Sequence, residues 1–447
     1  MWLPFLFGVL AASNVSSVAA GQPAAAPASY RVIELGNGAV AEKPAINAKG
    51  QVALSMGFGT ITKAMFYDGK KVQDLGNLGG TFNFAVALND NGQVVGYSTT
   101  DATNDVAHAF AWDKGTGMID LGALPGTNRS LAFANNNRGE VVGAVDSAVR
   151  WTLARGLESL GTLGGRFGSA TAINDAGMIA GWSEPAGNTN TVHAFVWTKD
   201  TGMTDIHPPG IGGFSFPFAV SGAGQVTGWS AFPGTEQHAF LWTREGGMLD
   251  IGASSPPGAV SLGLAMSRNG RHVAGIVGVH AMAWSRDTGM VDLGTFGGRT
   301  SRSFDVNNRG QVVGSADIGA TRAHAFVWTA ADGLVDLNDR LRDAPPGLEL
   351  GSAVAVSDNG SIVAYSNQGL ILLKPHDGDE EEGAEATNES PSEAVPSRDA
   401  CARLRQGASM FGRVSSLECA LDRIQAQAPG PVTLDVLLTP APGGDPE

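Results

Sequence analysis

The chain is poor in charge, and its two cysteines sit close together near one end; both shortages exclude something. Charged residues make up 16% of the 447, with 29 Lys and Arg against 43 Asp and Glu, for a formal net charge of −14. The tail from His376 onward carries about −9 of that, which leaves a mildly acidic body with no basic stripe. Phosphate backbones are held by clustered Lys and Arg, so a nucleic-acid partner is not expected. Two cysteines, Cys401 and Cys419, are too few for a structural zinc site on their own. No later segment reaches 18 uninterrupted apolar residues, so no membrane span is expected. There is no G-x-x-x-x-G-K-[ST] loop and no G-x-S-x-G elbow. The turns at Asn89, Asn174 and Asn307 lack the series of oxygen ligands ending in a carboxylate that calcium needs. The reading is therefore no metal and no cofactor.

Glycine and short alternating runs are abundant. The 62 glycines, with 43% hydrophobic residues, suit many short strands joined by tight turns. Four patterns recur in fixed order. One is an apolar pair, an acid and a glycine, as in QDLG at Gln73 and VDLG at Val291. The second is an alternating run ending in Asn or Ser, as in AVALND. The third is GQVVG, whose turn glycine falls at 50, 92, 139, 177, 224, 270, 310 and 360. The fourth is HAFVW, with His108, His193, His238, His280 and His324 leading and Trp112, Trp197, Trp242, Trp284 and Trp328 closing. Degenerate copies stand at Lys63, Ala148 and Gly369.

Four strands repeated at this period are the signature of a β-propeller blade. The patterns predict an all-β propeller over residues 30–375, with eight four-stranded blades; seven blades plus an irregular pair is the competing count. The phasing leaves one strand alone near Val32 and three alone between 353 and 373, which together would make a closing blade. HAFxW, INxxGQVVG and DLGTLGG, repeated together in a fixed order, resemble the extracellular HAF-repeat proteins of bacteria over about residues 30–375. The resemblance implies secretion and a propeller-like architecture, and it carries no established activity or catalytic residues.

The five histidines could ligate metal, but they sit on the third strand of four, too far apart to share an ion. A tie to the acid of the neighbouring D-L-G strand explains them better, because a buried ring nitrogen must find a partner. His207 and His272 lie off the pattern. Function is expected where repeats disagree, in the loops after D-L-G and before HAF, which open on one rim. These offer Phe82, Phe84, Arg129, Arg166, Phe167, Phe214, Arg299 and Arg302 as candidate contacts to a carbohydrate or protein ligand. Packing of the rim loops against one another explains the same residues as well.

The ends add further expectations. Residues 1–20 read as a signal peptide, or else as a buried N-terminal strand, and 21–29 as a linker. Residues 376–399 read as an acidic disordered linker, 400–428 as a short helical segment, and 429–447 as a flexible C-terminus. Export would permit a Cys401–Cys419 disulfide, with two reduced thiols as the alternative. The functional expectation is a secreted or periplasmic, monomeric binding or scaffold module. The alternative is a polysaccharide lyase or glycosidase, which would need paired carboxylates facing the channel.

Overall fold

In the computed structural model, the described residues are 26–27, 29–187 and 191–376. The expectations for the signal peptide, the segments beyond residue 376 and the Cys401–Cys419 pair fall outside them. The chain builds eight antiparallel sheets, each laid out from an innermost to an outermost strand. The innermost strands define blades 1 to 8: Ala39–Ile46, Asn83–Leu88, Leu131–Asn135, Gly164–Ile173, Ser215–Val220, Ser261–Met266, Ser301–Val306 and Leu350–Val356. Neighbouring innermost strands touch around the whole ring, so the molecule is an eight-bladed propeller.

Closure follows the predicted phasing. Blade 8 takes three strands from the C-terminal side and its fourth, Tyr30–Gly36, from the N-terminal side. The parallel strand Leu341–Arg342 covers that blade's outer edge. Residues more than 300 positions apart thus share one hydrogen-bonded sheet, with Tyr30 and Leu373 both fully buried.

The HAFxW pattern is the packing unit. Phe110 and Trp112 of blade 2 meet Ala53, Ala64 and Phe66 of blade 1, while Ala109 and Ala111 meet Ala132 and Val141 of blade 3. The same handedness recurs where Phe240 and Trp242 of blade 5 meet Ala180 and Ala194 of blade 4. Alternation along a strand supplies one bulky and one small face, and each junction sets one against the other. Burying each such Phe contributes about 2 kcal/mol.

The glycine ending GQVVG has a different cause. Each innermost strand carries a register shift, such as that between Ala85 and Ala87, consistent with a β-bulge. The distortion brings a carbonyl against the second strand. A Cβ on Gly96 would lie 1.8 Å from the Phe84 oxygen, and one on Gly228 would lie 1.9 Å from the Phe216 oxygen.

The Asn turns bind blade to blade. Asn89 Oδ1 accepts from the Asn91 and Gln93 N–H groups of its own turn, at 3.0 and 2.9 Å. Its Nδ2 donates to the Asn136 carbonyl of the next blade at 2.9 Å. Asn47, Asn136, Asn174 and Asn307 make the equivalent step, at 2.8 to 3.0 Å.

Candidate functional site

The five HAF histidines meet the five D-L-G aspartates. Nδ1 lies 2.9 Å from the carboxylate in His108–Asp120, 2.7 Å in His193–Asp205 and 3.0 Å in His238–Asp250. The remaining pairs are His280–Asp292 at 2.9 Å and His324–Asp336 at 2.5 Å. Blade 1 substitutes Lys63–Asp74 at 2.8 Å, and blade 3 substitutes Ser147–Ser159 at 2.9 Å. The pairs tie the third strand to the outermost one in blade after blade. At the other end of the same strands, Trp112, Trp242 and Trp284 are buried, and Trp197 and Trp328 are half-buried. Among the described residues, no cluster of three or more His, Cys, Asp or Glu could hold a metal ion.

The two loop families do share one rim, and they are bonded to each other. In blade 4, the buried Glu184 carboxylate accepts from the Arg166 N–H at 2.9 Å and the Phe167 N–H at 3.3 Å. In blade 7, Asp317 Oδ2 accepts from the Thr300 N–H and hydroxyl, both at 2.9 Å. In blade 2, Asn104 Oδ1 accepts from the Thr81 N–H at 2.9 Å. The Gly-Gly pairs make this approach possible: a Cβ on Gly165 would lie 2.4 Å from the Glu184 Cβ, and one on Gly298 would lie 2.3 Å from the Asp317 Cβ. The acceptors were missed in the sequence. Thr99, Glu184 and Asp317 occupy one repeat position, three residues after the strand glycine, and a polar residue there accompanies a Gly-Gly-Thr or Gly-Gly-Arg loop.

The clamped loops display some of the predicted residues and bury others. Arg166 stands 5.2 Å above the Phe167 ring, and Phe167 is 39% exposed. Arg129 and Arg299 are also exposed. Phe84 is not a rim contact, because strand alternation buries it against Tyr97, with ring centroids 4.8 Å apart. Phe82 is half-buried and bridges to Thr62 of blade 1. Phe214 packs beside Trp229, Leu262 and Ile276. Arg302 belongs to the innermost strand of blade 7 and is paired in register with Ser315, so it is half-buried rather than a loop residue.

The opposite face holds charges that the sequence reading did not single out. Arg268 of blade 6 forms an ion pair with Asp90 of blade 2, four blades away in a ring of eight, and so directly across the channel mouth. Burial works against ionisation of Asp90, but the Arg268 guanidinium and the Ala48 N–H outweigh it and hold the carboxyl below its usual range. Asp175 and Asp358 lie close enough to act on the same guanidinium. Further in, Lys43 Nζ donates to the Phe304 carbonyl at 2.9 Å. Burial raises the pKa of the neighbouring Asp305, against the pull of Lys43 and two N–H donors. These carboxylates are engaged in joining blades: Asp90 accepts from the Ala48 N–H, Asp175 from the Asn137 N–H and Asp358 from the Asn308 N–H.

No family model matches the chain, and no curated protein is significantly similar to it in sequence. Solved structures are similar in fold. They include TolB from Acinetobacter baumannii, at 13% identity and a TM-score of 0.33, over 56% of this chain and 61% of that one. A Mycobacterium tuberculosis puromycin-hydrolyzing peptidase matches at 13% identity and a TM-score of 0.46, over 77% of this chain and 62% of that one. A streptogramin B lyase matches at 8% identity and a TM-score of 0.40, over 79% of this chain and 100% of that one. The chain therefore spans about three-fifths of the length of the first two. Likeness at this level concerns the fold alone.

Proposed function

We propose that this chain is an exported propeller of the HAF-repeat kind that binds a carbohydrate or protein ligand on the rim formed by its Gly-Gly loops. One observation carries the reading. The buried Glu184 carboxylate holds the main chain of Arg166 and Phe167, while their guanidinium and ring remain exposed. An exposed loop with no task gains little from a buried acid beneath it. A fixed aromatic surface beside a guanidinium costs less side-chain entropy on binding than a free one, and it supplies both stacking and charged hydrogen bonds. Arg299 stands on an equivalent loop of blade 7, so the rim offers a second cationic contact.

The test is thermal unfolding of the protein against a panel of neutral and acidic oligosaccharides. A ligand at 100 times its Kd adds about 2.7 kcal/mol of stability. The supporting result is an upward shift that disappears in the Arg166→Ala, Phe167→Ala double variant. A shift that survives the double variant would move the site elsewhere. New reducing ends or unsaturated products from any panel sugar would support the lyase or glycosidase reading instead.

A further inference from the structure

His207 breaks the repeat at a joint where most other blades use glycine and blade 7 uses Asn338. In blades 2 and 6, the serine that opens the next innermost strand donates its hydroxyl to the carbonyl of the D-L-G glycine: Ser130 to Gly122 and Ser301 to Gly294, each at 2.5 Å. The same oxygens accept from Ala109 N–H and Ala281 N–H, both at 2.8 Å. At the joint between blades 4 and 5, Ser215 still accepts from the Ala194 N–H at 2.8 Å. Its hydroxyl, however, faces His207 Nδ1 at 2.9 Å. The other ring nitrogen, Nε2, lies 2.9 Å from the Ile211 carbonyl, so it must carry the proton and donate.

In the neutral imidazole the proton is therefore on Nε2, and Nδ1 accepts from the Ser215 hydroxyl. A second proton would sit on Nδ1 and turn it from acceptor to donor, so the Ser215 hydroxyl proton would have to leave the ring and the joint would have to rearrange. The added charge would also face the His193 ring, stacked at 4.1 Å and 18°. Two titratable groups face His207: His193 from the third strand of blade 4 and Asp205 from its outermost strand. The next innermost strand presents Ser215. Asp205 accepts from the His207 main-chain N–H and meets His193 Nδ1, so its carboxylate is engaged by the neighbouring histidine and not by the His207 ring.

We infer that His207 is an acid-released latch on the rim loop 208–214, closed by a neutral imidazole and opened when that imidazole gains a proton. The loop carries Phe214, which packs beside Trp229, so opening would rearrange part of the proposed binding rim. Burial, with His193 adding to it and the Ile211 carbonyl opposing, lowers the His207 pKa below that of a free imidazole. The latch's contribution is therefore complete above the ordinary value of about 6.5 and is lost as pH falls toward the lowered folded value. The regulatory consequence rests on the rim being the binding face, but the latch itself is measured without ligand.

The experiment is amide hydrogen exchange on the full chain between pH 7.5 and 5.0, with each rate divided by its intrinsic rate at that pH. Protection of 210–214 should fall about fivefold or more on acidification in the wild type, while the GGRF loop of blade 4 stays constant. His207→Gln should make protection of 210–214 independent of pH. If that variant does not fold, His207→Gly, which restores the residue used at this joint in blades 2, 5 and 6, takes its place. Wild-type protection that stays flat overturns the proposal, as does an equal loss in the variant. If the latch responds but no ligand binds the rim, the latch stands and the binding role does not.

Discussion

The two faces of the ring are built on opposite plans. On the turn face, one device repeats: an Asn caps its own turn and reaches the next blade, as Asn47, Asn89 and Asn136 do in succession. On the rim face, each clamp is particular to its blade, with Asn104, Glu184 and Asp317 doing similar work through different side chains. The difference teaches where to look for function. Repetition specifies how blades join, and departures from it specify what the ring displays.

Substitutions can break this contrast, and the largest effect belongs to the shared architecture. Gly228→Ala drives a Cβ into the Phe216 carbonyl and should cost about 3 kcal/mol or more in urea unfolding, while Gly212→Ala, with open space around it, should stay within about 0.5. Next is Asn89→Ala. It strips acceptors from two N–H groups and leaves the buried Asn136 carbonyl short of a donor, for about 2 kcal/mol by the same measurement. On the rim, Glu184→Ala should lower global stability by only about 1 kcal/mol and raise exchange of the Arg166 and Phe167 amides severalfold. An equal loss of protection throughout the ring would show that the clamp serves the fold rather than the loop.

The smallest effect belongs to the pair across the channel. Arg268 is more than half exposed, so a double-mutant cycle with Asp90 should give at most about 1 kcal/mol. Because the Asp90 carboxyl is held below its usual range, this coupling is full above pH of about 4 and fades as pH falls through the lowered value. Coupling that grows on acidification would contradict the assignment.

Much of this was legible in the sequence because the repeat writes it several times. HAFxW announces its bulky and small faces by alternation, and the lone strand near Val32 foretells the closing blade. The His and Asp of each pair stand 12 residues apart, directly joined by a short hairpin. What escaped notice depends on closure or on a single blade. Arg268 and Asp90 are 178 residues apart and meet only because eight blades place them opposite each other. Phe84 and Arg302 were misassigned because the loop ends before them and the innermost strand has already begun. Glu184 alone carries no signal in the sequence, since its buried role appears only when two loops are brought together.

The most direct measurement of the binding claim is a titration of any ligand found in the thermal panel against one variant from each face. With Arg166→Ala, Phe167→Ala on the rim, affinity should fall at least about tenfold, or 1.4 kcal/mol, while Arg268→Ala on the turn face should bind as the wild type does. Undiminished binding by the rim variant, or a loss confined to Arg268→Ala, would contradict the assignment of the rim as the binding face.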